Sequence, residues 1–327
     1  MNIEMIRAAQ GRLAGHARHT PLLSSPFLDD IAGRRILVKP ECLQHTGSFK
    51  FRGAWSAISA LDPAVRARGV FAYSSGNHAQ GIAAASKAHD CPAVILMPAD
   101  APALKIANTR ALGAEVILYD RATEDREALG ATLSQDRGLT LIKPYDEPQV
   151  IAGQGTVGLE IAADAAALGI TQAEVAVCCG GGGLSSGIAL ALAADAPGMT
   201  VRTVEPERFD DVARSLAAGE ILSNAQMTGS ICDAIVTPAP GQVTFPILRA
   251  HCGAGIAVSE TQVLSAMAHA FERLKLVIEP GGAVALAAAL FRPDAFAQDT
   301  VIAVASGGNV DAQMFQRALA TLAPDGP

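Results

Sequence analysis

No stretch of this 327-residue chain is both long and apolar enough to cross a bilayer: its longest apolar runs, such as AVALAAALF near residue 285, fall far short of about 18 residues. Mean hydropathy is nevertheless positive. The excess is mostly alanine, which points to a large buried core in a globular protein. Clusters of basic residues are also missing. With 25 Lys and Arg against 32 Asp and Glu, the net charge is -7, and binding to nucleic-acid phosphates needs a concentrated cationic surface. Neither nucleic acid nor membrane is an expected partner, and a small molecule is. The N-terminal residues MNIEMIRAAQGRLAGHARHT lack the basic start, apolar stretch and small-residue cleavage site of a secretory signal, so a cytoplasmic location is expected. The six cysteines (Cys42, Cys91, Cys178, Cys179, Cys232 and Cys252) form no CxxC pair and no zinc spacing. In a reducing compartment they act as small buried hydrophobes, and the adjacent pair Cys178 and Cys179 ends an apolar run typical of a core strand. Repeat arrays, low-complexity linkers and an appended regulatory module are likewise absent from the pattern.

What is present is alternation. From Gly69 short β-rich runs (GVFAYSS, PAVILMP, AEVILYD, LTLIKPY) exchange with amphipathic ones (NHAQGIAAASKAH, ALKIANTRALG, EDREALGATLSQDRG). A second series follows, with strands EVAVCCG, TVRTVEP, AGIAVS and TVIAVASGG between helical segments, broken only by a less regular stretch over residues 209–250. Such alternation specifies an α/β fold of two open, twisted, mainly parallel sheets with flanking helices. With no linker between the series, residues 49–145 are expected as a small domain inserted into a large one built from 1–48 and 146–327.

Two motifs carry chemistry. In HTGSFKFRGA, Lys50 stands between Phe49 and Phe51, company that disfavours an ammonium and suits an amine required as a nucleophile. The plainer reading is a lysine at a helix start whose head reaches water between the rings. In CCGGGGLSSGIALA a strand runs through Gly180, Gly181, Gly182 and Gly183 into a helix, where backbone amides and the helix N-terminus form an anion cup. The loop lacks the GK[ST] ending of a nucleotide P-loop. A dinucleotide fingerprint is the rival, with Gly181 and Gly183 as GxG and Glu205 placed for a ribose hydroxyl, but Ser186 stands where the third glycine belongs. The turn 74–78, SSGNH, also leads a strand into a helix and offers amides and hydroxyls to a carboxylate.

Taken together, HTGSFKFRGA, SSGNHAQG, IAGQGTVGLE, GGGGLSSG, VEP, IEPGGAVALAA and ASGGNVD resemble, in order and spacing, the pyridoxal-phosphate enzymes of the tryptophan-synthase β fold type. More narrowly they resemble the threonine dehydratase and serine racemase family. The resemblance implies that Lys50 is the lysine joined to the cofactor aldehyde and the base for the α proton. It implies that Phe49 packs beneath the pyridine ring, that Gly180, Gly181, Gly182, Gly183 and Leu184 hold the phosphate, and that Asn77 meets the cofactor's 3' oxygen. Ser306 would face the pyridine nitrogen and Glu279 the same ring edge; read alone, these are a strand-end serine and a helix N-cap acid. Ser74, Ser75, Gly76 and His78 would hold the substrate carboxylate, with Ser75 matching the second-face base of serine racemases. In VEPERFDD, Glu205, the Phe209 carbonyl and Asp211 match the magnesium or calcium ligands of metal-dependent members, against the reading of a solvated acidic turn. Two departures are Ala234, where members often have glycine, and Tyr145, where serine racemases tend to carry asparagine. The activity implied is a dehydratase, or ammonia-lyase, acting on a small L-β-hydroxy amino acid: threonine or serine first and 3-hydroxyaspartate close behind. A serine racemase with dehydratase side activity is the alternative. A nicotinamide-dependent dehydrogenase and a catalytically silent cofactor carrier are rivals from other classes. A homodimer is expected by resemblance.

Overall fold

The computed structural model describes residues 1–74, 76–101, 103–120 and 123–322. Among these residues ten strands form two sheets: β1 (Leu23–Ser24), β2 (Arg35–Lys39), β3 (Val70–Tyr73), β4 (Ala93–Pro98), β5 (Glu115–Tyr119), β6 (Thr140–Leu141), β7 (Ala173–Cys178), β8 (Met199–Pro206), β9 (Ile256–Val258) and β10 (Thr300–Val304). The larger sheet has the order β1-β2-β10-β7-β8-β9 and the smaller β5-β4-β3-β6. Every pairing is parallel except β1 with β2. Parallel strands covered on both faces read as unbroken apolar runs. Strands β4 and β7 accordingly bury all six of their residues.

Helices fill both faces. The helix Pro148–Ala167 starts with proline at its first turn and lies along the helix Gly183–Asp195. The GQGTVG segment explains how close they come, since a methyl on Gly158 would lie 2.9 Å from the Ile188 carbonyl oxygen. The core of the small sheet gathers Phe51, Trp55, Ile58, Ile82 and Ile95, but Leu13 and Val150, from outside residues 49–145, join it. The small sheet is thereby knit to both flanking segments. No helix of the described residues is long and apolar enough to cross a membrane.

The sequence pattern is coarser than the structure in two places. The stretch read as irregular, 209–250, contains the helices Asp211–Ala218 and Thr244–His251; at 8 residues each they are too short for periodicity to stand out. The run LTLIKPY gives only the two residues of β6; Pro144 lacks an amide to extend the ladder, and the chain bends from there.

In the large sheet the chain leaves β7 toward β8 and β9 on one side, while β10 takes the other. The carboxyl ends of β7 and β10 therefore flank a topological switch point, where open α/β sheets form a crevice.

Candidate active site

A cavity of about 390 Å³ opens at that crevice, between the two sheets. Phe49, Lys50, Asn77, His78, the four glycines, Leu184, Glu279 and Ser306 all line it, together with Ser74 and Gly76. The expected cofactor and substrate residues therefore converge from distant parts of the chain. Ser75 lies outside the described residues.

Lys50 is the first residue of the helix Lys50–Ser59. Two residues on, the guanidinium of Arg52 is buried against Glu41 (Nη2 to Oε1, 2.8 Å) and Glu160 (Nη1 to Oε1, 2.7 Å). Glu160 also takes Lys39 Nζ at 2.6 Å. This network clamps the helix to β2, to the short turn after it and to the helix Pro148–Ala167, and so fixes the backbone that carries Lys50. The Lys50 ammonium donates to the Pro144 carbonyl at 2.7 Å and sits 5.0 Å from the centroid of the Phe49 ring. Burial pushes its pKa down to about 8, against the opposing field of Glu279. About a tenth is thus free amine at about pH 7, far more than for an ordinary lysine.

The loop after β7 presents an anion cup. Gly182 has φ +91 and opens the helix Gly183–Asp195, a conformation that a side chain would strain. The Gly181 carbonyl is taken from behind by Thr244 Oγ1 at 2.6 Å and by the Gly241 amide at 3.1 Å. Among the described residues, the amides of Gly180, Gly181 and Gly182 meet no protein acceptor. Thr237 Oγ1, in the cavity lining beside Gly180, is also buried without a partner among the described residues. Unmatched buried donors at a helix N-terminus are what a phosphate satisfies. The Tyr145 ring packs against Gly181, where a Cβ would collide with it.

On the facing wall, Ser74 follows β3 and Gly76 precedes the helix Asn77–Ala88. Ser74 Oγ accepts from the Gly76 amide at 3.1 Å. The buried His78 places Nε2 at 2.9 Å from the Ile142 carbonyl, so that nitrogen carries the proton. Burial, followed by the field of Lys50, lowers its pKa to about 3. His78 is therefore a neutral ring at every working pH, and it can offer a carboxylate its backbone but no charge.

The third wall gathers the cofactor-facing polar groups. Ser306, just past β10, accepts from the thiol of Cys178, the last residue of β7, at 3.1 Å. Glu279 occupies the N-cap position of the helix Pro280–Phe291 without capping it. Its carboxylate instead accepts from Asn77 Nδ2 at 2.5 Å, and Asn309 Nδ2 donates to Asn77 Oδ1 at 2.7 Å. Burial raises the Glu279 pKa to about 7 despite the Asn77 bond.

The acidic motif lies apart from this cavity. Glu205, at the end of β8, is fully buried, and its oxygens accept from the Val212 amide at 2.9 Å and the Ala213 amide at 2.7 Å. Fully buried and outside the cavity lining, Glu205 is not placed to reach a ribose hydroxyl beside the glycine loop, so the dinucleotide alternative loses its acid. Asp211 accepts from Asn224 Nδ2 at 2.5 Å, while its other oxygen has no partner among the described residues. Burial drives Glu205 well above the usual carboxylate range, with Asp211 adding to it, and lifts Asp211 to about 6. The motif is thus a buried acid pair rather than a solvated turn. No group of three or more His, Cys, Asp or Glu is set to hold a metal among the described residues, so a cation here would draw on two carboxylates and backbone oxygen, with Phe209 buried beside them.

Sequence reasoning missed Cys178, Pro144, Asn309 and the Arg52 network as parts of the site. Cys178 reads as one more apolar residue of a core strand, and its partner Ser306 is 128 positions away. Only the adjacency of β7 and β10 joins them.

Comparison with known proteins agrees with this geometry. A sequence model described as pyridoxal-phosphate dependent enzyme matches residues 13–307. An L-threo-3-hydroxyaspartate ammonia-lyase of Pseudomonas sp is 44% identical over 312 residues, spanning 95% of this chain and 96% of that protein. The solved T.th. threonine deaminase superposes with a TM-score of 0.87 at 42% identity, covering 95% of this chain and 99% of that one. Maize serine racemase gives a TM-score of 0.90 at 36% identity, covering 98% and 97%.

Proposed function

The chain belongs to the pyridoxal-phosphate dependent enzyme family, and from that premise we propose that it is an ammonia-lyase that converts a small L-β-hydroxy amino acid to a 2-oxo acid and ammonia. The observation that carries the reading is the free-amine character of Lys50, whose pKa burial lowers to about 8, in a cavity that also holds the unmatched amides of Gly180, Gly181 and Gly182. The relatives named for 3-hydroxyaspartate and threonine support the lyase class.

In this proposal the glycine loop and Leu184 receive the cofactor phosphate, Phe49 supports its ring, and Ser306 faces the ring nitrogen. Pyridoxal phosphate supplies, when bound, an electron sink for the pair left behind as a Cα–H bond breaks. A hydroxyl such as that of Ser306, in place of a carboxylate, does not hold a proton on a ring nitrogen, which favours early loss of a β substituent over long-lived charge at Cα. Lys50 supplies the attacking amine and then accepts the α proton at Nζ. The turn formed by Ser74, Ser75, Gly76, Asn77 and His78 orients the α-carboxylate through its amides. Loss of the β hydroxyl as water releases an enamine, which tautomerises and hydrolyses to the 2-oxo acid and ammonia. Ser75 is proposed as the group that would reach the opposite face of Cα.

The proposal also includes a magnesium or calcium ion held by Glu205, Asp211 and the Phe209 carbonyl. There it would neutralise two buried acids and brace β8 against the helix Asp211–Ala218. A homodimer is proposed on likeness alone. Purified holoenzyme offered L-serine, L-threonine and both 3-hydroxyaspartate diastereomers should release 2-oxo acid from at least one of them. Racemised amino acid without 2-oxo acid would replace the lyase by the racemase alternative.

A further inference from the structure

The Lys50 ammonium rests on the Pro144 carbonyl at 2.7 Å, so the place of the amine depends on what holds residue 144. Pro144 belongs to the segment 143–147, between β6 and the helix Pro148–Ala167. Glu147 Oε2 accepts from the Lys143 amide at 2.8 Å, and the Glu147 carbonyl accepts from the Ile151 amide at 2.9 Å. The segment is thereby drawn into a compact turn seated on the helix. Its three middle residues reach different parts of the site: Pro144 meets Lys50, the Tyr145 ring packs on Gly181, and Asp146 Oδ1 accepts from the Val243 amide at 2.8 Å.

Val243 lies in the stretch that backs the anion cup. On one side of it the Gly241 amide, and on the other Thr244 Oγ1, donate to the Gly181 carbonyl. Hydrogen bonds therefore lead from Gly181 through residues 241–244 to Asp146, and the short backbone from Asp146 to Pro144 completes the path to Lys50. The contact is close: a Cβ on Gly241 would collide with Asp146 Oδ1. The proposed chemistry leaves Asp146 unused. Its negative charge near an anion seat opposes a phosphate, so the residue serves through the acceptor it offers rather than through its charge.

We propose that Asp146 is a positioning residue that couples the phosphate seat to the amine of Lys50. An anion settling on the glycine loop fixes Gly181, the stretch 241–244 passes that constraint to Asp146, and the turn passes it to the Pro144 carbonyl under Lys50. This rests on the cofactor reading and holds whichever β-hydroxy amino acid is the substrate. Gly241 gains a role as well, since a residue without a side chain lets the carboxylate reach the Val243 amide.

The test uses apoprotein and splits the cofactor into its two halves. Calorimetry with inorganic phosphate reads the cup, and stopped-flow absorbance with pyridoxal, which carries the aldehyde without the phosphate, reads the amine. Asp146→Ala should weaken phosphate binding about tenfold, the scale of one hydrogen bond to a charged group. It should also move the pH midpoint of pyridoxal capture down by about half a unit or more, because an ammonium that loses its carbonyl acceptor gives up its proton more readily. Asp146→Asn, which keeps the acceptor and removes the charge, should bind phosphate at least as tightly as wild type and keep the midpoint. Gly241→Ala, which pushes the carboxylate off the Val243 amide, should behave as Asp146→Ala and decides the matter if that variant does not fold. A carboxylate acting by charge alone would tighten phosphate binding in both Asp146 variants. A brace of residues 241–244 alone would weaken phosphate and leave the pH midpoint in place. Either result overturns the coupling. Wild type that binds phosphate but captures no pyridoxal phosphate would sink the cofactor reading instead, and labelling of Lys50 with an amine reagent across pH, read by mass spectrometry, then supplies the midpoint that decides the coupling.

Discussion

The thiol of Cys178 donates to the hydroxyl oxygen of Ser306 across 3.1 Å, joining the carboxyl ends of two neighbouring strands on the cavity wall. Burial lifts the Cys178 pKa to about 11, so it is a neutral donor at working pH. With a lone pair of Ser306 engaged in this way, its single proton is free to point into the cavity.

Cys178→Ala should therefore loosen the Ser306 hydroxyl without changing the fold. We expect kcat/KM to fall about three- to tenfold, the scale of one weak hydrogen bond, with a shift in the visible absorption of the bound cofactor. Cys178→Ser, which keeps a donor, should recover most of both. Equal behaviour of the alanine and serine variants would mean that the thiol only fills space.

Lys50 predicts a pH dependence. Apoprotein captures pyridoxal phosphate through the free amine, so the capture rate should rise with pH and level off above about 8. A solvated lysine would still be gaining above about pH 10. Stopped-flow absorbance decides between the two curves.

Glu279 affects stability with the opposite sense. Its folded pKa, about 7, lies above the ordinary carboxylate value. The folded state thus binds more protons between pH 4.5 and 7, and the contribution, complete below that window, is lost as pH rises through it. Apoprotein carrying Glu279→Gln should gain about 1–3 kcal/mol over wild type at about pH 8 and much less at about pH 5. Urea midpoints at the two pH values measure the difference, and equal gains at both would contradict it.

The acid pair makes a separate prediction. Chelation should lower the melting temperature of wild type, and magnesium or calcium at about 100 times Kd should restore about 2.7 kcal/mol. Asp211→Asn should respond to neither. If chelator leaves wild type unchanged, Glu205 and Asp211 stand as buried neutral acids only.

Much of this was legible before the structure. The strands β4 and β7 announce themselves as unbroken apolar runs, and the glycine loop and Lys50 are local signals within about 15 residues of chain. The pairing of Cys178 with Ser306, of Asn77 with Glu279 and of Arg52 with Glu160 was not legible, because each joins segments that only the parallel topology brings together. The helices of residues 209–250 were hidden by their shortness.

The most direct measurement is reduction of the holoenzyme with borohydride, followed by proteolysis and mass spectrometry. The pyridoxyl mass should sit on Lys50, in the peptide containing Phe49 and Phe51, and Lys50→Ala should yield no stable adduct while retaining cofactor affinity through the glycine loop. An adduct on any other lysine, or none on wild type, would contradict the assignment of Lys50 and the mechanism built on it.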